Sequence, residues 1–336
     1  MVVPQQTHSD PPLPLSKLAL GCGVFSGAYG AAPDTSVVGS VRRALSSGMN
    51  LLDTSPYYND SEQKLGQALD HLRHEFPRSS YHICTKLGRY GYSKTDFDYS
   101  AERVTQSVTE SMRRLKTSYL DIVLCHDVEF VSIDQVVDQA LPRLFELKAQ
   151  GLVKRVGVSG YPLDVLLNIA SIQHTRGQPL DVCLSYCNFN LHCQLLSTYI
   201  PKLRDNGVAT IVSASPLSMG LLSQNKPPEW HPAKKELREA VALCVEVVEQ
   251  SGCATGLAEM AEHFAFSCTD ADVHLVGAKT EDEVGRALVA YEQAQQLQLA
   301  NGGKYPDPVT HAVYEKIQSI LKPFGSYTWP SPPADA

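Results

Sequence analysis

The strongest constraint on the fold is an alternation that recurs eight times along the chain. Short apolar runs are each followed by a segment with helical spacing. The runs are Leu18–Gly21, Asn50–Asp53, Tyr81–Lys86, Tyr119–Cys125, Val153–Ser159, Asp181–Ser185, Val208–Ser213 and Val273–Val276. They lack a clear two-residue polar alternation, which suits strands covered on both faces, as in parallel sheets. Helical spacing is expected over 37–47, 62–72, 101–115, 133–149, 162–174, 195–206, 233–250, 255–266 and 281–296. In 101–115 the apolar stripe Val104, Val108, Met112, Leu115 is spaced four, four and three. Pro162 stands near a first helical turn, where proline is tolerated, and Asn206-Gly207 closes a helix.

Eight βα units favour an α/β fold closed into a single (β/α)8 TIM barrel, with the active site at the C-terminal rim of the strands. The open doubly wound alternative usually carries GxGxxG between its first strand and helix. Here that loop reads Gly21-Cys22-Gly23-Val24-Phe25-Ser26-Gly27, without the third glycine in place. The expected organisation is a loose proline-rich leader at 1–14 and one barrel domain over 15–336.

Charge and cysteine usage exclude several function classes. The net charge of −7, from 29 basic and 36 acidic side chains, gives no reason to expect nucleic acid or an anionic membrane as partner. The apolar runs are too short to span a bilayer. Nine cysteines, an odd number with no CxxC, fit reduced thiols in a cytoplasmic protein. Cys183, Cys187, His192 and Cys193 cluster, but their spacing matches no structural zinc pattern, so no metal is assigned.

The chemistry gathers where the apolar runs stop. Asn50-Leu51-Leu52 ends in Asp53, and Pro56 ends any strand there, with Tyr58 on the loop. The third run delivers Lys86, the fourth His126 and the fifth Ser159. Taken singly, each has an ordinary reading: a helix cap, a solvated strand end, a packed loop aromatic, a hydrogen-bonded core histidine. Together at successive strand ends they suit proton transfer coupled to hydride transfer. A tyrosine of ordinary pKa near 10 is a poor base, and a neighbouring ammonium lowers that pKa. A carboxylate keeps the ammonium charged, and a histidine orients or relays. No side chain accepts a hydride, so a nicotinamide cofactor must.

These residues resemble the aldo-keto reductases, over nearly the whole stretch from Leu18 to Trp329. The likeness lies in Asp53-Thr54-Ser55-Pro56-Tyr57-Tyr58, in Thr85-Lys86 and in Cys125-His126-Asp127. The doubled tyrosine, His126-Asp127-Val128-Glu129-Phe130, the segment Ser213 to Leu222 and the late Trp329-Pro330-Ser331 are similar to the branch holding D-arabinose 1-dehydrogenases and L-galactose dehydrogenases. By that resemblance Tyr58 is the general acid/base, Asp53 and Lys86 tune it, and His126 orients the substrate. The implied reaction oxidises an aldose of D-arabinose, L-galactose or L-fucose type at C1 to the aldonolactone. Two alternatives stand beside it: a carbonyl reductase of secondary metabolism, and a redox-sensing subunit that holds the cofactor and turns over slowly.

The resemblance also implies a cofactor site. Gly23, Val24 and Asp53 would lie against the dinucleotide. Ser159 and Gly160 stand where the family has a Ser-Asn pair for the carboxamide. Cys183 falls where a glutamine is usual, with Ser185 nearby, and Ala214 where a tyrosine often stacks. The pyrophosphate would lie in a backbone cradle from Ser215, Pro216, Leu217, Ser218, Gly220 and Leu222. Gly277, Ala278, Lys279 and Thr280 would hold the adenosine end. Glu283, beside Asp282, stands where NADP users carry arginine, which implies NAD rather than NADP, although Lys279 pulls the other way. Phe25, Tyr57, Glu129 and Phe130 would line a pocket for a small sugar or carbonyl substrate.

Overall fold

The computed structural model describes residues 13–331, apart from 29, 31 and 226. The expected leader lies outside the described residues as far as residue 12. Beyond that point the Leu13 carbonyl accepts from His82 Nε2 at 2.9 Å and the Pro14 carbonyl from Asn50 Nδ2 at 2.9 Å.

Eight strands form a closed parallel barrel in sequence order. They are β1 Leu18–Gly21, β2 Leu51–Asp53, β3 His82–Leu87, β4 Leu120–His126, β5 Val153–Gly160, β6 Val182–Tyr186, β7 Thr210–Ala214 and β8 Val273–Gly277. Closure is made by β1 pairing with β8, Gly21 opposite Gly277. Each strand alternates between two environments, both apolar. Ala19, Leu51, Cys84, Ile122, Leu124, Val182 and Leu184 fill the barrel interior. Their neighbours Leu20, Leu52, Ile83, Val123, Val156, Cys183 and Ile211 face the helices. The missing polar alternation has this cause: neither face of a strand meets water.

The helices fall where their spacing places them, within a few residues. Ala101–Arg114 buries Val104 and Val108 and is capped by the Ser100 hydroxyl, which accepts the Arg103 N–H. Within 133–149 one wide π turn, Val136–Ala140, precedes Leu141–Ala149. One helix escaped the sequence reading, Pro308–Leu321. Asp307 caps it by accepting the Thr310 N–H at 2.7 Å, and Pro308 occupies its first turn. Its buried Val313, Ile317 and Leu321 join Leu237, Val241 and Cys244 of Lys235–Ser251 in a second hydrophobic cluster. Each such fully buried aliphatic side chain contributes roughly 1.5–3 kcal/mol. That helix carries the chain to 326–331, the segment that returns to the barrel mouth. Among the described residues no helix is long and apolar enough to cross a membrane.

Candidate active site

The two-residue period that fills the barrel also builds its mouth. Leu51, Cys84 and the Ile122–Leu124 pair point inward. Two residues further along the same rows come Asp53, Lys86 and His126. Continuing the rule around the barrel brings Ser159, Tyr186, Ala214, Gly277 and Gly21 to the same layer. The layer is therefore divided. The side made by β2–β4 carries an acid, a base and an imidazole. The side made by β7, β8 and β1 carries only alanine and glycine, which leaves room for a flat ligand. A Cβ on Gly277 would come within 2.8 Å of the Val24 side chain, which already covers that glycine.

The Lys86 ammonium, 2% exposed, lies 2.6 Å from Asp53 Oδ1 and 2.9 Å from the Thr54 carbonyl. It sits 4.9 Å from the centre of the Tyr58 ring. Burial works against this ammonium, but Asp53 and the Tyr58 oxygen outweigh it and hold Lys86 above its ordinary pKa. The lysine is therefore a permanent cation beside the phenol. Tyr58 itself departs from the sequence expectation of a lowered pKa. Burial is the larger influence and pushes it up to about 12; Lys86 pulls down, while Asp53 and Asp127 push up further. At neutral pH it is a phenol that can donate. Gly23 lies against this ring, where a Cβ would stand 3.4 Å from it.

His126 stands edge-on to both tyrosines, its ring 5.6 Å from Tyr57 and 5.6 Å from Tyr58. Burial holds its pKa down to about 3, against the opposing pull of Asp127, so it is neutral. Ser55, buried on the same loop as Tyr58, accepts the Tyr57 N–H at 3.1 Å and hydrogen-bonds His126 Nδ1 at 3.1 Å. The carboxylate of Asp127, an acceptor only, has its Oδ2 3.6 Å from Nε2 and favours the hydrogen on that nitrogen.

Sequence reasoning missed two groups at this mouth. Arg89 leaves β3 three residues after Lys86, pairs with Asp127 Oδ2 at 2.5 Å and lies flat on Tyr57, 3.9 Å from its ring centre. Tyr186 shares the inward row of Val182 and Leu184, the signal that could have found it. The expected Phe25 is corrected. It sits in the 3-10 turn Cys22–Ser26, is fully buried and packs into the core with Leu20 and Leu52. Phe130 is present at the rim, stacked on Phe97 at 5.0 Å. Cys183 faces the helix layer, not the mouth.

Glu129 is held by one oxygen only. Its Oε1 accepts from the Tyr161 N–H at 3.2 Å and the Ser331 hydroxyl at 2.8 Å. Its Oε2 is buried without a partner, and a Cβ on Gly160 would lie 2.6 Å from it. Glycine at 160 and the carboxyl of Glu129 thus fit one space. Burial, then Asp127, pushes Glu129 up to about 8. The returning tail stacks Trp329 on Tyr161 at 4.7 Å. Ser159 Oγ donates to the Cys125 carbonyl at 3.4 Å, and Ser185 Oγ accepts from Asn188 Nδ2 at 2.9 Å.

The expected cofactor segments surround the alanine and glycine side of the mouth. Ser215, Ser218, Met219 and Gly220 all have positive φ, a tight run of turns of the kind that makes an anion cradle. Those turns consume the N–H groups of Ser215, Ser218, Gly220, Leu221 and Leu222. Among the described residues the N–H groups of Leu217 and Met219 have no backbone acceptor. After β8, the Ala278 and Lys279 carbonyls accept from Ser40 and Ser36 at 2.8 Å each, which pins this loop to Asp34–Ser46. Thr280 caps the helix Glu281–Asn301, and Glu283 Oε2 accepts the Lys279 N–H at 2.7 Å. Glu281, Asp282 and Glu283 fill that helix's first turn. The donors and the open side fit a dinucleotide.

Comparison with known proteins agrees with this geometry. A model of the aldo/keto reductase family matches residues 17–298. The chain is 35% identical to L-galactose dehydrogenase of Arabidopsis thaliana, over 95% of this chain and 94% of that protein. It is also 35% identical to D-arabinose 1-dehydrogenase of Saccharomyces cerevisiae, over 94% of each. Among solved structures, an aldo-keto reductase of Bacillus halodurans in its holo form superposes with a TM-score of 0.65, at 24% identity over 93% of this chain and 94% of that one.

Proposed function

The chain belongs to the aldo/keto reductase family, and on that footing we propose that it oxidises an aldose at C1 to the aldonolactone, with NAD as oxidant and Tyr58 as base. That it is an oxidoreductase of the NAD(P)-using kind follows from membership. The finer reading is carried by one observation: the Lys86 ammonium, fixed by Asp53 at 2.6 Å, lies under the Tyr58 ring at the open end of the barrel. Two relatives that match nearly end to end bear the names of aldose dehydrogenases.

When bound, the nicotinamide supplies the acceptor for the C1 hydride. Tyr58, as phenolate, removes the proton of the C1 hydroxyl, and the electron pair of that O–H bond becomes the new C=O of the lactone. Lys86 stabilises the phenolate, and Asp53 holds Lys86 in place. His126, with the Asp127 carboxylate favouring its Nε2–H form, donates to the same oxygen and positions it. The acidic first turn after Thr280 supports NAD over NADP. Free cysteines throughout the described residues support a reducing, cytoplasmic setting.

Reduction of a carbonyl by the same groups is the second reading. It is favoured by the Tyr58 phenol being held up to about 12, protonated and ready to donate at neutral pH. Initial rates with NAD and NADP against pentoses, 6-deoxyhexoses and simple aldehydes separate the two. The expected result is the highest kcat/KM for an aldose with NAD. Comparable efficiency with NADP overturns the cofactor assignment, and turnover confined to aldehydes overturns the aldose.

A further inference from the structure

We propose that Arg89 and Asp127 form a clamp for the distal hydroxyl groups of an uncharged polyol. The inference rests on the aldose reading above and names how that site would recognise its substrate.

Arg89 is committed at only part of its fork. Nη1 meets Asp127 Oδ2 at 2.5 Å and Nε meets the Gly91 carbonyl at 3.3 Å. Nη2 has no acceptor among the described residues. The guanidinium cannot swing away, because it lies on Tyr57 at 3.9 Å and against the stacked Phe130 and Phe97 at 5.0 and 5.3 Å. A cation pinned between rings, 14% exposed, is a preorganised donor.

Asp127 supplies the matching acceptor, and its backbone shows why it points there. Its φ of 50° is in the left-handed region, unusual for a residue other than glycine. That turn brings its carboxylate back over the mouth, beside both Arg89 and His126 Nε2. Asp127 Oδ1 has no donor among the described residues. Two residues on, Glu129 is anchored through Oε1 by Tyr161 and Ser331 and turns Oε2 toward Gly160, away from this set. One spare donor and one spare acceptor thus gather at one rim, beside Tyr57 and Phe130. Tyr57 bridges this rim to the phenol, its ring 5.8 Å from that of Tyr58.

Hydroxyl groups, each both donor and acceptor, satisfy such a set, and sugar C–H faces pack on aromatic rings. An alkyl aldehyde offers nothing to it. An anionic sugar such as a phosphate is disfavoured, because the Arg89 guanidinium is already paired with Asp127.

The wild-type enzyme provides a first test that no folding defect can confuse. Against the best aldose, analogues lacking a single distal hydroxyl should show KM raised about tenfold or more, since each deletion strands a charged partner. Unchanged KM across the deoxy series overturns the clamp. In Arg89→Met, whose stem still covers Tyr57, the ratio of kcat/KM for the aldose to that for pentanal should fall about tenfold or more, through KM of the aldose. Arg89→Lys should lie between. Equal loss on both substrates, or an unchanged ratio, contradicts the clamp. NADH fluorescence titration of each variant reports the folded site. A wild type that oxidises no aldose removes the functional reading itself, which is distinct from an aldose enzyme indifferent to Arg89.

Discussion

The two ends of the barrel use carboxylates in opposite ways. At the amino-terminal end, Asp121, Asp181 and Asp272 stand at the starts of the even strands β4, β6 and β8. Each accepts a backbone N–H from the preceding strand: Ile83 at 3.0 Å, Val156 at 2.8 Å and Ile211 at 2.7 Å. Each also holds a cation: Arg78 at 2.5 Å, Lys148 at 2.6 Å, and Arg204 against Asp272 Oδ2. At the carboxyl end, Asp53 keeps Oδ2 and Glu129 keeps Oε2 without a partner. Backbone strain divides the same way. Among described non-glycine residues with positive φ, only Lys116 lies toward the first end, while Asn59, Asp127, Cys187, Ser215, Ser218 and Met219 lie on loops at the mouth. Each such residue costs about 1–2 kcal/mol. Strain of this kind collects at functional loops.

The comparison can be broken by exchanging effects between the ends. The largest effect expected is on turnover. Tyr58→Phe should lower kcat for both oxidation and reduction by about 10²–10⁴-fold. Its melting temperature should not fall, because the lost hydroxyl was a desolvated group. Retained turnover, or a destabilised fold, would make the mouth structural and erase the distinction.

A smaller, reversed effect is expected at the other end. Asp121→Ala removes a partner of Arg78 and of Lys154 and leaves the Ile83 N–H unpaired, a loss of about 1–3 kcal/mol, or roughly 2–4 °C in Tm. Turnover per folded molecule should stay within about twofold, since the residue lies a barrel's length from Tyr58. The pH dependence has a definite sign. Burial opposes the Asp121 charge, but the hydrogen bond from His82, the charge of Arg78 and the Ile83 N–H hold its carboxyl well below the usual range. Its stabilisation is therefore present above the ordinary aspartate pKa and lost as pH falls below it. Thermal melts of wild type and variant should converge in acid. A constant gap down to the lowest pH would contradict this account of the Asp121 pairing.

Much of this contrast was legible in the chain, for physical reasons that also explain what was not. Strand positions could be read because parallel strands are apolar on both faces. Asp53, Lys86 and His126 could be read because each ends such a run on its inward row. Tyr186 obeys the same row and was passed over, since a tyrosine at a strand end also suits ordinary packing. Arg89 could not be read, because its place depends on a loop that folds it onto Tyr57 and on the left-handed turn at Asp127. Phe25 was misplaced for a related reason: the 3-10 turn Cys22–Ser26 directs the ring into the core. The helix Pro308–Leu321 lies beyond the eighth βα unit, where no repeat calls for it. The ionisation of Tyr58 was beyond sequence reach, because it depends on how far burial outweighs Lys86.

That balance is what the pH profile of kcat/KM for aldose oxidation measures most directly. With Tyr58 held up to about 12 and His126 down to about 3, the active phenolate is a minor form at neutral pH. The rate should climb about tenfold per pH unit above neutrality, with no step near the ordinary histidine pKa of about 6.5, and the climb should vanish in Tyr58→Phe. A profile that is flat above pH 7, or one that turns on the titration of an imidazole, would contradict proton transfer through Tyr58 at the barrel mouth.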